Sequence, residues 1–423
     1  AAVIARELAN GRSQAEAEHI AQDADEYQFY VPERARWKHI RAKSSNIGEE
    51  IQKAFRALEE RNPTLIGVLT PIDFNDKDRL PDVTLMRLIA HFDKVRLGHA
   101  DIPNPDMLGD AYMYLIAQFA DDAGKKGGML LESLRYVRER GGNPADLRLF
   151  GQEKNLNTWS IAKMNMLLHG LSDQAVIEKG DTLRDPKLKR DGALMLFDRV
   201  LANPPFSLKQ WGHDDPRITQ DEYRRFAFGL PPASYGDLAF VQHMIATLTL
   251  DGMCGVVMPH GVLFRGNKER DIRKGIIERD WLEAVIGLPT NLFYGTGIPA
   301  AVLIFNKAKA SERRGQVIFI HAAEYFTPGA NQNTLSETDI RRIVEAYDGW
   351  ADVERFARVV RVEQIAENEY NLNIPRYVDT VEPEEAVDLD AAIAAYQAAV
   401  KACEEAEAKL NEHLRRIGFK LDS

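Results

Sequence analysis

Phe197-Asp198-Arg199-Val200-Leu201-Ala202-Asn203-Pro204-Pro205-Phe206 is the stretch on which the reading of this chain turns. It is an apolar run that stops abruptly in Asn-Pro-Pro-Phe. Two successive prolines supply no backbone N–H, and the first pushes Asn203 out of the helical region. A strand over 197–202 must therefore end in a rigid, extended turn. The turn gathers a carboxamide and prolyl carbonyls as hydrogen-bond acceptors, with an aromatic ring beside them as a stacking surface. That set suits a planar substrate carrying an exocyclic amino group.

On both sides of this turn the pattern is α/β. Upstream, residues 147–153 form a short apolar strand ending in Glu153, residues 159–168 have helical spacing, and residues 175–183 read as a strand that meets a turn at Gly180-Asp181. Downstream come a helix over 237–248, a strand over 254–259, a helix over 268–277, and strands over 282–288 and 300–305. Such alternation predicts a mostly parallel sheet with helices on both faces. Ligands of such sheets bind outside the carboxyl ends of the strands, where Glu153, Asp181 and Asn203 all fall. A carboxylate at the place of Glu153 can accept both hydroxyls of a ribose, and Asp181 can accept from the amino group of an adenine; each residue alone is also an ordinary turn acid.

One place breaks the pattern. Residues 129–138 read as a helix that follows Gly127-Gly128, as after the first strand of a nucleotide-binding sheet, yet a helix over 110–120 and Lys125-Lys126 stand where that strand belongs. The expectation is a seam between about Gly124 and Met129, at which a loop and the first strand are absent.

The remaining chain frames this core. Residues 1–105 read as a polar helical domain, with one-face apolar spacing over 47–58 and again from Leu85 to Phe92. The chain opens in mid-pattern without a methionine, which suggests that residues upstream are missing. Residues 106–380 form the α/β domain and 381–423 a linker and helix. In that helix Ile393, Tyr396, Val400, Cys403, Leu410, Leu414 and Ile417 recur at steps of three and four, with one break at Glu407. So narrow a seam lies against another helix, in a different subunit or in its own domain. With 423 residues, 45% of them hydrophobic, the chain affords a sizeable core, and no run approaches the roughly 20 apolar residues of a membrane span. It reads as cytoplasmic, with no membrane association. Two cysteines and ten scattered histidines give neither a disulfide framework nor a metal site. A net charge of -10 argues against a uniformly basic grip on nucleic acid, but leaves room for a local basic stripe or for a partner that carries most contacts. Arg265, Lys268, Arg270, Arg273 and Lys274 are such a stripe, open to two readings: phosphate contacts or a solvated helix face.

Several stretches together carry a family resemblance. Asn203-Pro204-Pro205-Phe206 matches the (Asn/Asp)-Pro-Pro-aromatic motif of amino-group methyltransferases, and its order after Glu153 and Asp181 matches the class that methylates adenine N6 in DNA. Leu149-Phe150-Gly151-Gln152-Glu153-Lys154-Asn155, Gly180-Asp181-Thr182-Leu183, Met258-Pro259-His260-Gly261-Val262-Leu263-Phe264, Gly287-Leu288-Pro289-Thr290-Asn291-Leu292-Phe293 and residues 369–377 resemble the modification subunit of type I restriction-modification systems. The resemblance covers about residues 105–380. It implies a Rossmann-like S-adenosylmethionine-dependent methyltransferase sheet, a flipped adenine as acceptor, a specificity subunit that reads DNA, and a larger complex with a second modification subunit and a restriction subunit. Asn203, Pro204, Pro205 and Phe206 are the implied catalytic residues, and Phe206, Phe293 and Tyr294 the implied base pocket. Glu153, Asn155, Asp181 and Thr182 are the implied cofactor contacts, with Gly127 and Gly128 as remains of an incomplete glycine signature. Arg265 and Lys268 are candidate DNA contacts. Other readings stay open: an amino-group methyltransferase with another target, a single-chain DNA methyltransferase, or a non-catalytic scaffold that has lost the cofactor loop.

Overall fold

Residues 197–202 form a strand that stops before Asn203, as the two prolines require. In the computed structural model residues 2–20, 29–95, 128–293, 296–330, 332–380 and 389–418 are described. The chain divides into two units, Ala1–Val378 and Asp379–Ser423.

The first unit opens with helices. Helix α1 (Ile47–Arg61) and helix α2 (Asp82–Phe92) are amphipathic, and Asp82 caps α1 by accepting from the backbone N–H groups of Asn46 and Ile47 at 2.8 and 2.9 Å. Gly67 passes so close to Trp159 that an added Cβ would lie 3.3 Å from its ring, and the Ser160 hydroxyl donates to Gly67 O. The helical layer is thereby joined to the α/β part. The expected boundary near residue 105 and the helix over 110–120 lie outside the described residues.

Helix α3 (Gly128–Glu139) leads into strand β1 (Leu149–Glu153), which is followed by helix α4 (Leu156–Leu168) and strand β2 (Ala175–Lys179). β1 and β2 pair in parallel, Glu153 opposite Lys179. A small hairpin of β3 (Lys189–Arg190) and β4 (Ala193–Leu194) precedes β5 (Phe197–Ala202). Then come helix α5 (Asp237–Ala246), β6 (Leu248–Pro259), helix α6 (Lys268–Glu278), β7 (Leu282–Gly287), β8 (Ala300–Asn306), β9 (Gln316–His321), helix α7 (Glu337–Gly349) and β10 (Ala357–Arg361). β5 to β10 make one six-stranded sheet in the order β10-β9-β7-β8-β6-β5.

That sheet corrects the expectation of a mostly parallel one. β5–β6 and β7–β9 are parallel, whereas β8 runs antiparallel to both β6 and β7, and β10 antiparallel to β9. The cause is local: among the described residues no helix stands between β7 and β8, so the chain leaving β7 returns beside it instead of crossing over. β7 is buried at every position, and Leu303, Phe305, Val285 and Phe319 join the main core between the sheet and the helices.

The two sheets stop short of one another. Among the described residues β1 pairs only with β2, and β5 only with β6, so each sheet ends on an unpaired edge. The edges are neighbours, since the rings of Phe150 and Phe197 lie 5.4 Å apart. Leu201 of β5 is 52% exposed, unusual for an apolar residue of a strand next to a buried sheet. The expected seam falls largely outside the described residues. Among those that are described, no parallel strand precedes α3 to complete a strand-helix-strand unit with β1.

In the second unit helix α8 (Leu389–Arg416) runs 28 residues, and its seam residues Ile393, Tyr396, Val400 and Leu410 are exposed. The expected linker, 381–385, lies outside the described residues.

Candidate active site

The turn at 203–206 sits at the carboxyl end of β5, the end from which the β7–β8 connection also rises. Asn203 is exposed, and its carboxamide has no hydrogen-bond partner among the described residues. Pro204 is half-buried and Pro205 exposed, while Phe206 turns partly inward and meets Phe293 edge to face, ring centroids 5.9 Å apart. Phe293 is held by its loop: Asn333 donates to Thr290 O at 3.0 Å and to Asn291 O at 2.8 Å, and Gln332 donates to Leu292 O. An exposed carboxamide and a pair of rings thus share one strand end. Tyr294, expected with them, lies outside the described residues.

The acids of the neighbouring strands come to the same end. Glu153 closes β1, and its Oε1 accepts from Asn155 N at 2.7 Å. Asn155 itself is the N-cap of α4, accepting from Asn157 N and Thr158 N at 3.0 and 3.1 Å. Its side chain is therefore committed to the helix, a role that explains its place after the strand without a ligand. Asp181 follows β2 and accepts from Leu183 N and Arg184 N at 3.1 and 3.0 Å, with Lys154 Nζ at 3.0 Å from its other oxygen. Burial raises the Asp181 carboxyl, but the Arg184 N–H and the Lys154 ammonium outweigh it and hold the group below the usual range. Asp181 is thus an ionised acceptor fixed at a strand end. Thr182 contributes through its backbone, its carbonyl accepting from Arg225. Gly128 is the buried first residue of α3, and Gly127 lies outside the described residues.

Two arginines tie the loop after β2 to the chain that follows the turn. Arg184 Nη2 donates to Gln210 O at 2.7 Å, linking the loop after β2 to the loop after Phe206. Arg225, almost fully buried, pairs with Asp221 at 2.7 Å and donates to Thr182 O and Leu183 O at 3.2 and 2.7 Å. It also lies 3.2 Å from His243 Nδ1 on α5. Burial first, then the Arg225 charge, lowers the His243 pKa to about 3, so the imidazole is a neutral acceptor.

The basic stripe resolves into two sets. Lys268, Arg270 and Lys274 face solvent. Arg265 and Arg273 do not: Arg265 is committed to Asp237 and Glu269, each at 2.8 Å, and Arg273 donates to the carbonyls of Val262, Arg265 and Tyr370. Arg265 is therefore an internal tie in place of the expected phosphate contact, because two buried carboxylates outcompete a solvated anion for it. Sequence reading missed Arg225 and Asp237. The signal for Asp237 was a charge at an apolar helix start, Asp237-Leu238-Ala239-Phe240-Val241, which pattern alone does not distinguish from an ordinary helix-start acid.

Against known proteins, the N-6 DNA methylase family matches residues 123–386, and the HsdM N-terminal domain matches residues 3–92. The MjaVII type I restriction enzyme methylase subunit of Methanocaldococcus jannaschii is 34% identical, over 87% of this chain and 68% of its own length. The HindI methylase subunit of Haemophilus influenzae is 28% identical, over 84% of this chain and 91% of its own. A solved methyltransferase subunit of a type I restriction-modification system from Streptococcus thermophilus superposes with a TM-score of 0.73 at 32% identity, covering 84% of this chain and 82% of that one.

Proposed function

Since this chain belongs to the N-6 DNA methylases, as a modification subunit of the type I restriction-modification class, we propose that it methylates the N6 amino group of an adenine flipped out of DNA, with S-adenosylmethionine as donor. The observation that carries the reading is the exposed Asn203 carboxamide in the turn that also carries Phe206, which meets Phe293 edge to face.

The chemistry follows from the acceptor. The adenine amino nitrogen is a poor nucleophile because its lone pair is delocalised into the ring. Asn203 Oδ1 and the Pro204 carbonyl accept its two hydrogens and favour a more pyramidal nitrogen, and the rigid Pro204-Pro205 backbone holds both acceptors in place. Phe206 stacks on the extruded base, with Phe293 against it, offsetting an unstacking cost of a few kcal/mol. No covalent intermediate is required, since positioning alone supplies up to roughly 7–11 kcal/mol in well-oriented reactions.

The donor fits in part. Glu153 and Asp181 have the chemistry for the ribose hydroxyls and the adenine amino group of S-adenosylmethionine, which when bound supplies a methyl group on a sulfonium. For its amino-acid end the described residues offer no glycine-rich turn. Among the described residues β1 and β5 each have an unpaired edge, and the second reading is a scaffold that keeps the base half of the site without the donor half. Titration of the full-length protein with S-adenosylmethionine separates the two: binding supports the enzyme, and no measurable binding supports the scaffold.

An acidic chain of net charge -10 needs partners to hold DNA. A specificity subunit supplies sequence reading, and a second modification subunit and a restriction subunit complete the assembly. The exposed seam of α8 is the surface offered to one of them. DNA as substrate places this work in the cytoplasm. In the assembly with the specificity subunit, Asn203→Ala lowers transfer of a labelled methyl group by orders of magnitude while DNA binding persists; an unchanged rate rules out the assigned role.

A further inference from the structure

The residue that follows Phe206 is in an uncommon conformation. Ser207 has φ +50°, in the left-handed region that non-glycine residues seldom occupy. Such a conformation persists only where the surroundings impose it. Here the imposing group is Asp237, at the first turn of α5 and only 1% exposed, whose Oδ1 accepts from Ser207 N at 2.7 Å.

Asp237 is itself held from behind. Its Oδ2 accepts from Arg265 Nη2 at 2.8 Å, Arg265 Nε lies 2.8 Å from Glu269 of α6, and the guanidinium carbon sits 4.1 Å from the centre of the Tyr235 ring. A buried carboxylate needs such partners, and with them it has one fixed position. α5 packs on β6 through Leu238, Val241 and Ile245, so the anchor is part of the main core. Nothing else among the described residues is hydrogen-bonded to Ser207 N.

We propose that Asp237 is a positioning residue: through Ser207 N, and braced by Arg265 and Glu269, it sets the direction in which Phe206 and the Asn203 carboxamide face the target base. This rests on the adenine reading of the 203–206 turn. Asp237 touches no substrate and acts only through the turn. Asn in its place keeps the shape and loses the charge that strengthens the bond. A weakened anchor lets Ser207 leave φ +50°, whereas glycine at 207 adopts that φ without steric cost.

The test uses the protein assembled with its specificity subunit on DNA carrying 2-aminopurine at the target adenine, whose fluorescence rises when the base leaves the stack. Asp237→Asn weakens capture of the extruded base about ten- to a hundredfold, the range for a hydrogen bond to a charged group. Adding Ser207→Gly to that variant restores most of the signal. Adding Gln210→Gly, at another left-handed residue of the same loop, restores none. Wild-type signal in Asp237→Asn, or a loss that Ser207→Gly fails to repair, overturns the proposal. If the wild-type assembly binds DNA without any fluorescence change, the adenine reading fails on its own account. The anchor is then decided by thermal melting of the wild type, Asp237→Asn, Ser207→Gly and the double variant: non-additive effects of the two substitutions support it, and additive effects overturn it.

Discussion

The two sheets of this molecule, which carry the two halves of the proposed site, differ in how they are built. The six-stranded sheet is closed over: β7 is buried along its length, β8 lies between two partners, and the acceptor turn grows from a strand whose neighbour is fully paired. The two-stranded sheet is held by local means, the Asn155 cap, the Trp159 indole donating to Ile177 O at 2.8 Å, and the Gln152 amide bridging to Asp185 O and Lys187 N. It still presents Glu153 and Asp181. In the proposed site the donor half is thus held by a few directed hydrogen bonds, and the acceptor half is backed by the core.

The comparison breaks most sharply on function. Asn203→Ala is expected to cost about 10²–10³ in transfer rate, as loss of one well-placed polar group in an active site does, with donor affinity unchanged. A fall in donor affinity of the same size would merge the two halves into one.

Stability divides the sheets next. Leu303→Ala, in the core beneath β8, should cost about 2–5 kcal/mol, whereas Leu201→Ala on half-open β5 should cost under about 1 kcal/mol. Urea unfolding of both variants gives the two values, and equal losses would show that β5 is as covered as β8.

On the donor side, Asp181→Asn removes an ionised acceptor and should weaken S-adenosylmethionine binding about tenfold or more, read by calorimetry, with base capture on 2-aminopurine DNA unaffected.

The smallest effect is a pH dependence. His243 stays neutral in the fold down to about pH 3 but takes up a proton near pH 6.5 when unfolded. Between those values the unfolded chain binds the extra proton, so stability rises with pH across this window and is lost as pH falls through it. The unfolding free energy should drop by up to ~1.4 kcal/mol per pH unit below about 6.5, and His243→Asn should flatten that slope. An unaltered slope would place the titrating group elsewhere.

Most of what positions the chemistry was legible in the chain because it is local. A strand that runs into Pro204-Pro205 has to stop, and an acid after a short apolar run has to lie at a strand end. What depends on distant partners was not. The sheet is mixed because no crossover helix stands among the described residues between β7 and β8, a fact visible only as a missing pattern. β9 and β10 escaped notice, being short runs at the far edge of the sheet. Arg265 and Lys268 look alike in sequence, yet one faces two buried carboxylates and the other solvent, because α6 buries Glu269 and Arg273 on its inner face. Asp237 reads as a helix-start acid until Ser207, thirty residues earlier, is found against it.

The central claim is that the turn from Asn203 to Phe206 receives an adenine for methylation at N6. The most direct measurement is the N6-methyladenine content of DNA incubated with S-adenosylmethionine and the protein assembled with its specificity subunit, wild type against Asn203→Ala. The account predicts methyladenine with the wild-type protein and its loss with the variant at equal DNA occupancy; equal methylation by both would contradict it.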